Sequence, residues 1–238
     1  FGDPDFTRAL GNTLTIAVLK IVIGFVVPIT VAILLNEIRT SYLKRTIQTM
    51  IYLPHFISWI ILAGLVKDIF GVDGIVNTSL QKLFGMEPRI WLGENTPFLV
   101  ILIGSNLWKE FGFNTIVYLA AITSIDPNLY EAAIVDGASR LRQTWHVTLP
   151  GMRPIIVLTG VLALGGILNA GFDQIYNLYS VPVYDVADVI DTLVFRKAFQ
   201  GGDYSLGAAI GLFNSAVQML LIVTSYWMAR KFANYEIF

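Results

Sequence analysis

Two adjacent ionisable residues, Lys109 and Glu110, interrupt an otherwise apolar run from Phe98 to Ile125. If this run is helical, Asn106, Lys109, Glu110 and Asn114 fall near one side, at i, i+3, i+4 and i+8. Ionisable groups at membrane depth cost about 2.5–3.5 kcal/mol on insertion scales, so such a side faces protein or a water-filled path. It can line a translocation route, or the pair can fix packing against neighbouring helices. Asn214 and Gln218, one helical turn apart, and Asn169 and Asp173 supply further polar groups. Groups of this kind hold sugars together with aromatic faces, and they also join membrane helices. Asp185, Asp188 and Asp191, spaced by three, read as a solvated face rather than a catalytic pair. His55 follows Pro54 and reads as a helix kink with a hydrogen-bonded ring. His146 is distant in sequence and no H-E-x-x-H occurs, so no metal ligand or catalytic residue is expected. The chain lacks a phosphate-binding G-x-x-x-x-G-K-[ST] and is not expected to hydrolyse ATP. It has no cysteine, which excludes disulfides, zinc–thiolate sites and thiol catalysis.

The elements that carry these residues are set by composition. Of 238 residues, 55% are hydrophobic and 14% charged, against about 25% charge in a soluble domain. Five apolar windows account for the excess: Thr13 to Leu35, Ile47 to Val66, Phe98 to Ile125, Ile155 to Phe172 and Leu206 to Ala229. Each is long enough to span as a helix, which satisfies its own backbone in lipid. Short alternating segments, the mark of a membrane barrel, do not occur. The expected fold is an all-α polytopic membrane bundle with five spans, formed by one domain over residues 1–238.

An odd number of spans puts the two ends on opposite sides. Eight basic residues (Arg39, Lys44, Arg45, Arg140, Arg142, Arg153, Arg230, Lys231) then share one side and six (Arg8, Lys67, Lys82, Arg89, Arg196, Lys197) the other. The positive-inside rule places the C-terminus in the cytoplasm. Two longer segments, Gly71 to Pro97 and Tyr176 to Tyr204, fall outside. The first has an amphipathic stretch near Ile75 to Phe84 and the second opens with Tyr176, Tyr179 and Tyr184. They can cap a pathway or serve as ordinary interfacial connections. The net charge of −1 gives no basic field for nucleic acid.

The stretch from Asp126 to Pro154 falls on the cytoplasmic side. Asp126-Pro127 is an N-cap followed by proline at N1. A short helix is expected through Leu129, Ala132, Ala133 and Val135, with a turn at Gly137, where a Cβ is disfavoured. Ser139 can cap a second short helix through Trp145, which Leu149-Pro150 is expected to end. An elbow of this kind is a surface offered to a partner.

Glu131-Ala132-Ala133, Asp136-Gly137-Ala138 and Val147-Thr148-Leu149-Pro150 resemble the EAA loop of type I ABC-importer permeases. Asn12-Thr13-Leu14, the segment from Leu34 to Ile38, Tyr52 to Trp59, Gly74 to Asn77 and Trp108-Lys109-x-x-Gly112-Phe113 extend the likeness over nearly the whole chain. They are most similar to carbohydrate-uptake permeases of the oligo- and polysaccharide branch (lipoprotein-like, alginate-type). The resemblance implies a type I importer permease fold whose usual first helix is absent here. It implies that residues 126–154 form the cytoplasmic coupling loop, with Glu131, Ala132, Ala133, Asp136, Gly137, Ala138, Leu149 and Pro150 contacting an ATPase. Asn106, Lys109, Glu110, Asn114, Asn214 and Gln218 are the expected substrate path.

By the same resemblance the partners are a second homologous permease, forming a heterodimer, two cytoplasmic ATPases, an extracytoplasmic solute-binding protein, the saccharide and membrane lipid. This chain binds no cofactor, ATP and Mg belonging to the ATPase subunits, and it lies in a bacterial inner membrane. Lys20 and Lys109 favour an acidic saccharide. The competing readings are a permease for another solute class such as amino acids, a membrane-embedded glycosyl or lipid transferase, and a channel or proton-coupled carrier.

Overall fold

The computed structural model describes residues 3–233, and every regular element among them is helical. α1 (Pro4–Glu37) is one 34-residue helix that contains the first apolar window. α2 (Ser41–Tyr52) and α3 (Trp59–Phe70) divide the second between them, separated by a 3-10 turn at Leu53–Phe56. α4 (Ile75–Phe84) occupies the amphipathic stretch. α5 (Asn95–Thr123) then runs unbroken for 29 residues through Lys109 and Glu110. α6 (Pro127–Val135) and α7 (Arg140–Gln143) form the elbow, and a π-helical turn at Thr144–Thr148 joins α7 to α8 (Leu149–Gly165). Three short helices, α9 (Phe172–Leu178), α10 (Tyr184–Ala187) and α11 (Ile190–Val194), lead to α12 (Tyr204–Ala233). The C-terminal residues 234–238 and the side chain of Lys231, both used in assigning the sides, lie outside the described residues.

The five expected spans are corrected to three, or four if a bent pair counts as one. Pro4–Glu37, Arg140–Gly165 and Tyr204–Trp227 are long and apolar enough to cross a membrane. Ser41–Phe56 and Trp59–Phe84 meet that standard only together, and they are bent by 100° at their junction. Pro54 lies in the 3-10 turn at this break, and the Ser58 side chain accepts from Ile61 N to start α3. Proline removes a backbone donor and the capping serine opens a new helix, so an apolar composition does not guarantee one straight rod. α5 has the length, but Asn106, Lys109, Glu110 and Asn114 lower its apolar character below that of a simple span.

Two boundaries also move. Leu149-Pro150 does not end a helix: Leu149 keeps helical φ −62° and ψ −44°, and the run continues to Gly165. The wide π-helical turn just before Pro150 relieves the demand for the i→i−4 bond that proline cannot make. The fourth window stops at Gly165 rather than Phe172, because the chain turns at Gly166–Asn169 and passes through Gly171 at φ +95°.

The chain divides into two compact units. One comprises Phe1–Ile21, Phe56–Lys109 and Gly166–Gln218. Its core joins Phe6, Ala9, Ile190, Leu193 and Ile210. Asn77, 3% exposed, organises another part: its amide donates to the carbonyls of Gly71, Val72 and Arg89 and accepts from Arg89 N and Trp91 Nε1. One side chain thereby closes the segment around α4. The other unit comprises Val22–His55, Glu110–Gly165 and Met219–Phe238, with a core of Ala32, Tyr118, Leu119, Ala121, Ile122 and Met152. In it α5 approaches α2 so closely that a Cβ on Gly112 would lie 1.8 Å from the Ile51 carbonyl oxygen. Gly165 packs against Ile222, where a Cβ would meet Cγ1 at 2.6 Å, so the glycine is a packing residue as its setting suggests.

Gly112→Ala must push two helix backbones apart, and overpacking of this kind costs about 1–3 kcal/mol. Thermal unfolding in detergent will show a lowered midpoint for this variant. Gly104→Ala, where an added Cβ meets nothing within 4 Å, will leave the midpoint within a degree or two or raise it.

Candidate functional site

The elbow is built by local chemistry. Asp126 accepts from Asn128 N at 2.9 Å and Pro127 takes the first turn, which fixes the start of α6. Its end is a Schellman motif: Ala138 N donates to Ala133 O at 2.8 Å and Gly137 N to Ile134 O at 3.0 Å, with Gly137 at φ +74°. Ser139 stands at the N-cap of α7 with φ −65° and ψ 162°, but its side chain makes no capping bond. The Gln143 side chain instead returns to Ala138 O at 2.9 Å. Tyr130 Oη meets Thr148 Oγ1 at 3.0 Å, tying α6 to the π-helical turn. Gly151 lets α8 pass Ile125, whose Cδ1 would sit 2.6 Å from a Cβ.

The elbow exposes several large apolar side chains. Leu129, Ile134, Leu141 and Trp145 are each more than half exposed, and Val135 is 86% exposed. Glu131, Asp136, Arg140 and Arg142 are exposed beside them. Contiguous apolar groups with a charged rim are the composition of an interaction surface. Of the expected contact residues, Glu131, Ala132, Asp136, Gly137 and Pro150 are exposed, while Ala133, Ala138 and Leu149 are half-buried.

The polar residues of α5 have separate surroundings. Lys109, 7% exposed, places its ammonium 5.7 Å from the centre of the Trp59 ring. Glu110 Oε2 lies 2.8 Å from His55 Nδ1, and the His55 ring stacks on Phe113 at 4.0 Å and 6°. His55 is thus a hydrogen-bonded ring in the turn between α2 and α3. Asn114 lines a cavity of about 190 Å3 with Gly24, Phe25, Tyr118 and Thr159. Asn106 is half-buried.

Asn214 lies elsewhere, on α12, in a cavity of about 350 Å3 that it lines with Asp191, Phe172, Phe195 and Phe199. Its Oδ1 is buried without a hydrogen-bond partner. Gln218, one turn further on, is half-buried and is not part of this lining. The cavity belongs to a run of rings absent from the sequence reading. Tyr184, Tyr179, Tyr176, Phe172, Phe195, Phe199 and Tyr204 follow one another with centroids 4.9–6.5 Å apart.

The reading of Asp185, Asp188 and Asp191 as a solvated face is overturned. Asp188 is fully buried, accepts from Thr192 Oγ1 at 2.8 Å and pairs with Arg196 through both oxygens, at 3.1 and 2.6 Å. Asn12 Nδ2 reaches Asp185 O and Asp188 O, both at 3.0 Å. Asp191 is half-buried, and burial pushes its carboxyl above the usual carboxylate range. Only Asp185 is well exposed, 3.6 Å from Arg8. Lys20, assigned above to an acidic substrate, donates to Ala170 O at 2.7 Å and Gln174 Oε1 at 2.5 Å, and Gln174 in turn reaches Leu102 O. These bonds join residues as much as 176 positions apart, a distance no local pattern encodes. A roomier cavity of about 690 Å3, between α3 and α5, is lined mainly by apolar side chains such as Leu62, Val66, Ile101 and Trp108, with Arg89, Thr96 and Ser105 among them. Arg89 in this lining is paired with Glu94. No group of three or more His, Asp or Glu among the described residues is placed to hold a metal.

Comparison with known proteins shows the family to which the chain belongs. Residues 20–234 match the model of the family described as binding-protein-dependent transport system inner membrane component. The chain is 41% identical over 238 residues to the polygalacturonan/rhamnogalacturonan transport system permease protein YteP of Bacillus subtilis (strain 168), covering all of this chain and 74% of that one. It is 42% identical over 233 residues to protein LplB of the same organism, covering 98% and 73%. A crystal structure of a bacterial alginate ABC transporter in complex with an alginate pentasaccharide-bound periplasmic protein contains a chain that superposes with a TM-score of 0.96. That chain is 41% identical, and the match covers 100% of this chain and 82% of it.

Because Asp188 is buried against Arg196 and Thr192, Asp188→Asn removes a charge-assisted bond and costs about 1.5–3 kcal/mol. Unfolding in detergent will show this loss. Arg196→Gln will give a similar loss, and the double variant will lose less than the sum of the two, as members of one network do.

Proposed function

For a chain that belongs to the family of binding-protein-dependent transport system inner membrane components, we propose a specific division of labour between the elbow and the polar residues of the membrane helices. The protein is a membrane permease subunit of a carbohydrate-uptake ABC importer and couples transport to ATPase partners. It is a transport subunit, not an enzyme, and the family assignment replaces the transferase and carrier alternatives. The observation that carries the finer reading is the apolar face of the elbow, set by the left-handed Gly137 and displayed by Val135, Leu141 and Trp145. Residues 126–154 are a coupling loop that sits in a cleft on a cytoplasmic ATPase, with Glu131, Ala132, Ala133, Asp136, Gly137, Ala138, Leu149 and Pro150 forming or shaping the contact. Force passes from nucleotide-driven closure of two ATPases, which hold the ATP and Mg, to α6 and onward through the Tyr130–Thr148 bond to the run that becomes α8.

The permease domain pairs with a second, homologous permease and receives substrate from an extracytoplasmic binding protein. Only 6% of the apolar window of α12 is buried within this chain, leaving that surface to lipid or to the second permease. The C-terminus and elbow face the cytoplasm. The substrate is an oligo- or polysaccharide, in keeping with the similarity to polysaccharide permeases. Asn106, Lys109, Glu110 and Asn114 border its path at the middle of α5, and Asn214 and Gln218 border it on α12.

Purification of the tagged chain from native membranes in mild detergent will bring with it a Walker-motif ATPase and a second permease. Recovery of the chain alone contradicts the assignment. Gly137→Val forces a branched side chain into a left-handed conformation that costs about 1–2 kcal/mol. Uptake will fall about tenfold while ATPase turnover continues in the assembled complex, and unchanged uptake counts against a coupling role. Lys109→Met and Asn106→Ala will reduce transport with assembly intact; normal transport by both variants removes this side of α5 from the path.

A further inference from the structure

The cavity of about 690 Å3 between α3 and α5 is lined by none of Asn106, Lys109, Glu110 and Asn114, so it lies apart from the expected substrate path. All of its lining belongs to one of the two compact units. α3 supplies Leu62, Val66 and Ile69, and α5 supplies Val100, Ile101 and Gly104. At one end Trp59, which begins α3, lies beside Lys109. At the other, Asn77 ties Gly71, where α3 stops, to Arg89 and Trp91. The two helices are thus fixed at both ends and leave a groove between. Its floor is open at Gly104, where an added Cβ meets nothing within 4 Å.

Length and polarity define the occupant. From Pro97 to Trp108 the α5 wall is about 16 Å long at ~1.5 Å per residue. One leaflet of a ~30 Å hydrocarbon core has the same depth. The polar groups with bonding capacity to spare stand at the Thr96 end. Arg89 commits Nε and one Nη2 hydrogen to Glu94, which leaves the other hydrogens of its five-donor guanidinium open. Thr96 adds a hydroxyl at the same end. Ser105, further along, is already engaged: it donates to Leu102 O at 3.2 Å and accepts from Gln174 Nε2 at 3.0 Å. The groove therefore has a polar lip and a dry interior.

That gradient is the pattern of an amphiphile. A saccharide would bury its hydroxyls along the apolar walls without partners. A helix is about 10 Å across, wider than the mean section of this groove, so it would roof the space and leave it hollow. An acyl chain enters it, with a headgroup phosphate at the lip, where a guanidinium bonds phosphate well. Trp91 beside Arg89 marks the interfacial level that such rings favour. We propose that this groove is a phospholipid site, with one acyl chain lying between α3 and α5 and the headgroup phosphate bonded to Arg89 at the Thr96 end. The proposal rests on α5 crossing the membrane, as the permease reading has it.

The test uses the assembled permease–ATPase complex in vesicles of phosphatidylethanolamine and phosphatidylglycerol. The probe is a phosphatidylethanolamine carrying a diazirine partway along one acyl chain, and adducts on this chain are mapped by mass spectrometry after photolysis. Labelling of Leu62 to Ile69 and Val100 to Gly104 will exceed severalfold that of the most strongly labelled among Val22, Val26, Leu212 and Leu220, exposed positions on α1 and α12. Gly104→Phe, which fills the open floor, will remove most of the groove labelling and leave those other positions unchanged. Arg89→Gln will lower groove labelling about tenfold, the scale of one lost charge-assisted hydrogen bond. Glu94→Gln breaks the same ion pair but keeps the guanidinium, and will hold groove labelling within about twofold. Groove labelling no stronger than elsewhere, or unchanged in both the Gly104 and Arg89 variants, overturns the site. So does an equal loss in Glu94→Gln and Arg89→Gln, which makes the ion pair structural only. A groove labelled in the isolated chain but not in the complex is covered by a neighbouring helix, and that result overturns the site too. Val100→Cys, 67% exposed on the groove wall, reports on α5 itself. Shielding from a water-soluble maleimide is expected; free reaction overturns the membrane-crossing reading of α5 and the site with it.

Discussion

The constraint on which the rest of the structure depends is the desolvation of charged groups in the middle of a long helix. α5 carries Lys109 and Glu110 among Leu107, Trp108, Phe111 and Phe113. Leaving either group unpartnered away from water costs more than most single contacts in a protein supply. Lys109 is screened by the face of Trp59, and Glu110 is met by His55. His55 reaches it from a tight turn, with its ring fixed against Phe113. The break between α2 and α3 places His55 outside a regular α-helix.

That dependence explains what was legible in the sequence. The elbow could be read because its determinants are local: Asp126-Pro127 starts α6, and Gly137 ends it with φ +74°. α1 and α12 were equally plain, since each is one long apolar run. The second window was not, because hydropathy records how apolar a segment is and not which partner it must reach. Pro150 misled for a similar reason: a π-helical turn five residues long, invisible to propensity, carries the helix past it. Asp188 looked like one of three solvated acids, yet Arg196, Thr192 and the distant Asn12 surround it. The ring series from Tyr184 to Tyr204 went unread as a unit, although its tyrosines were noted, because its phenylalanines carry no polar signal.

On the reading proposed above, force and substrate recognition fall on different kinds of structure. The elbow is held by backbone bonds and a left-handed glycine, and it turns apolar side chains outward. Exposed apolar groups of this kind suit a surface that a partner covers. The polar residues are the opposite: they are distributed singly among apolar neighbours, with Lys109 beside Trp59 and Glu110 beside His55. A saccharide route needs groups of this kind, placed where hydroxyls can replace water without leaving a buried acceptor bare.

The central claim is that the elbow seats on a cytoplasmic ATPase. The chain has no cysteine of its own, so one introduced by Val135→Cys, at a highly exposed position on α6, gives a unique handle. Short thiol-to-amine cross-linking in native membranes, followed by mass spectrometry of the adducts, tests the claim most directly. A predominant adduct to a Walker-motif ATPase, with its yield changing on addition of nucleotide, is the predicted result. Labelling of the same cysteine by a membrane-impermeant reagent from outside, or an assembled importer in which no ATPase adduct forms, contradicts it.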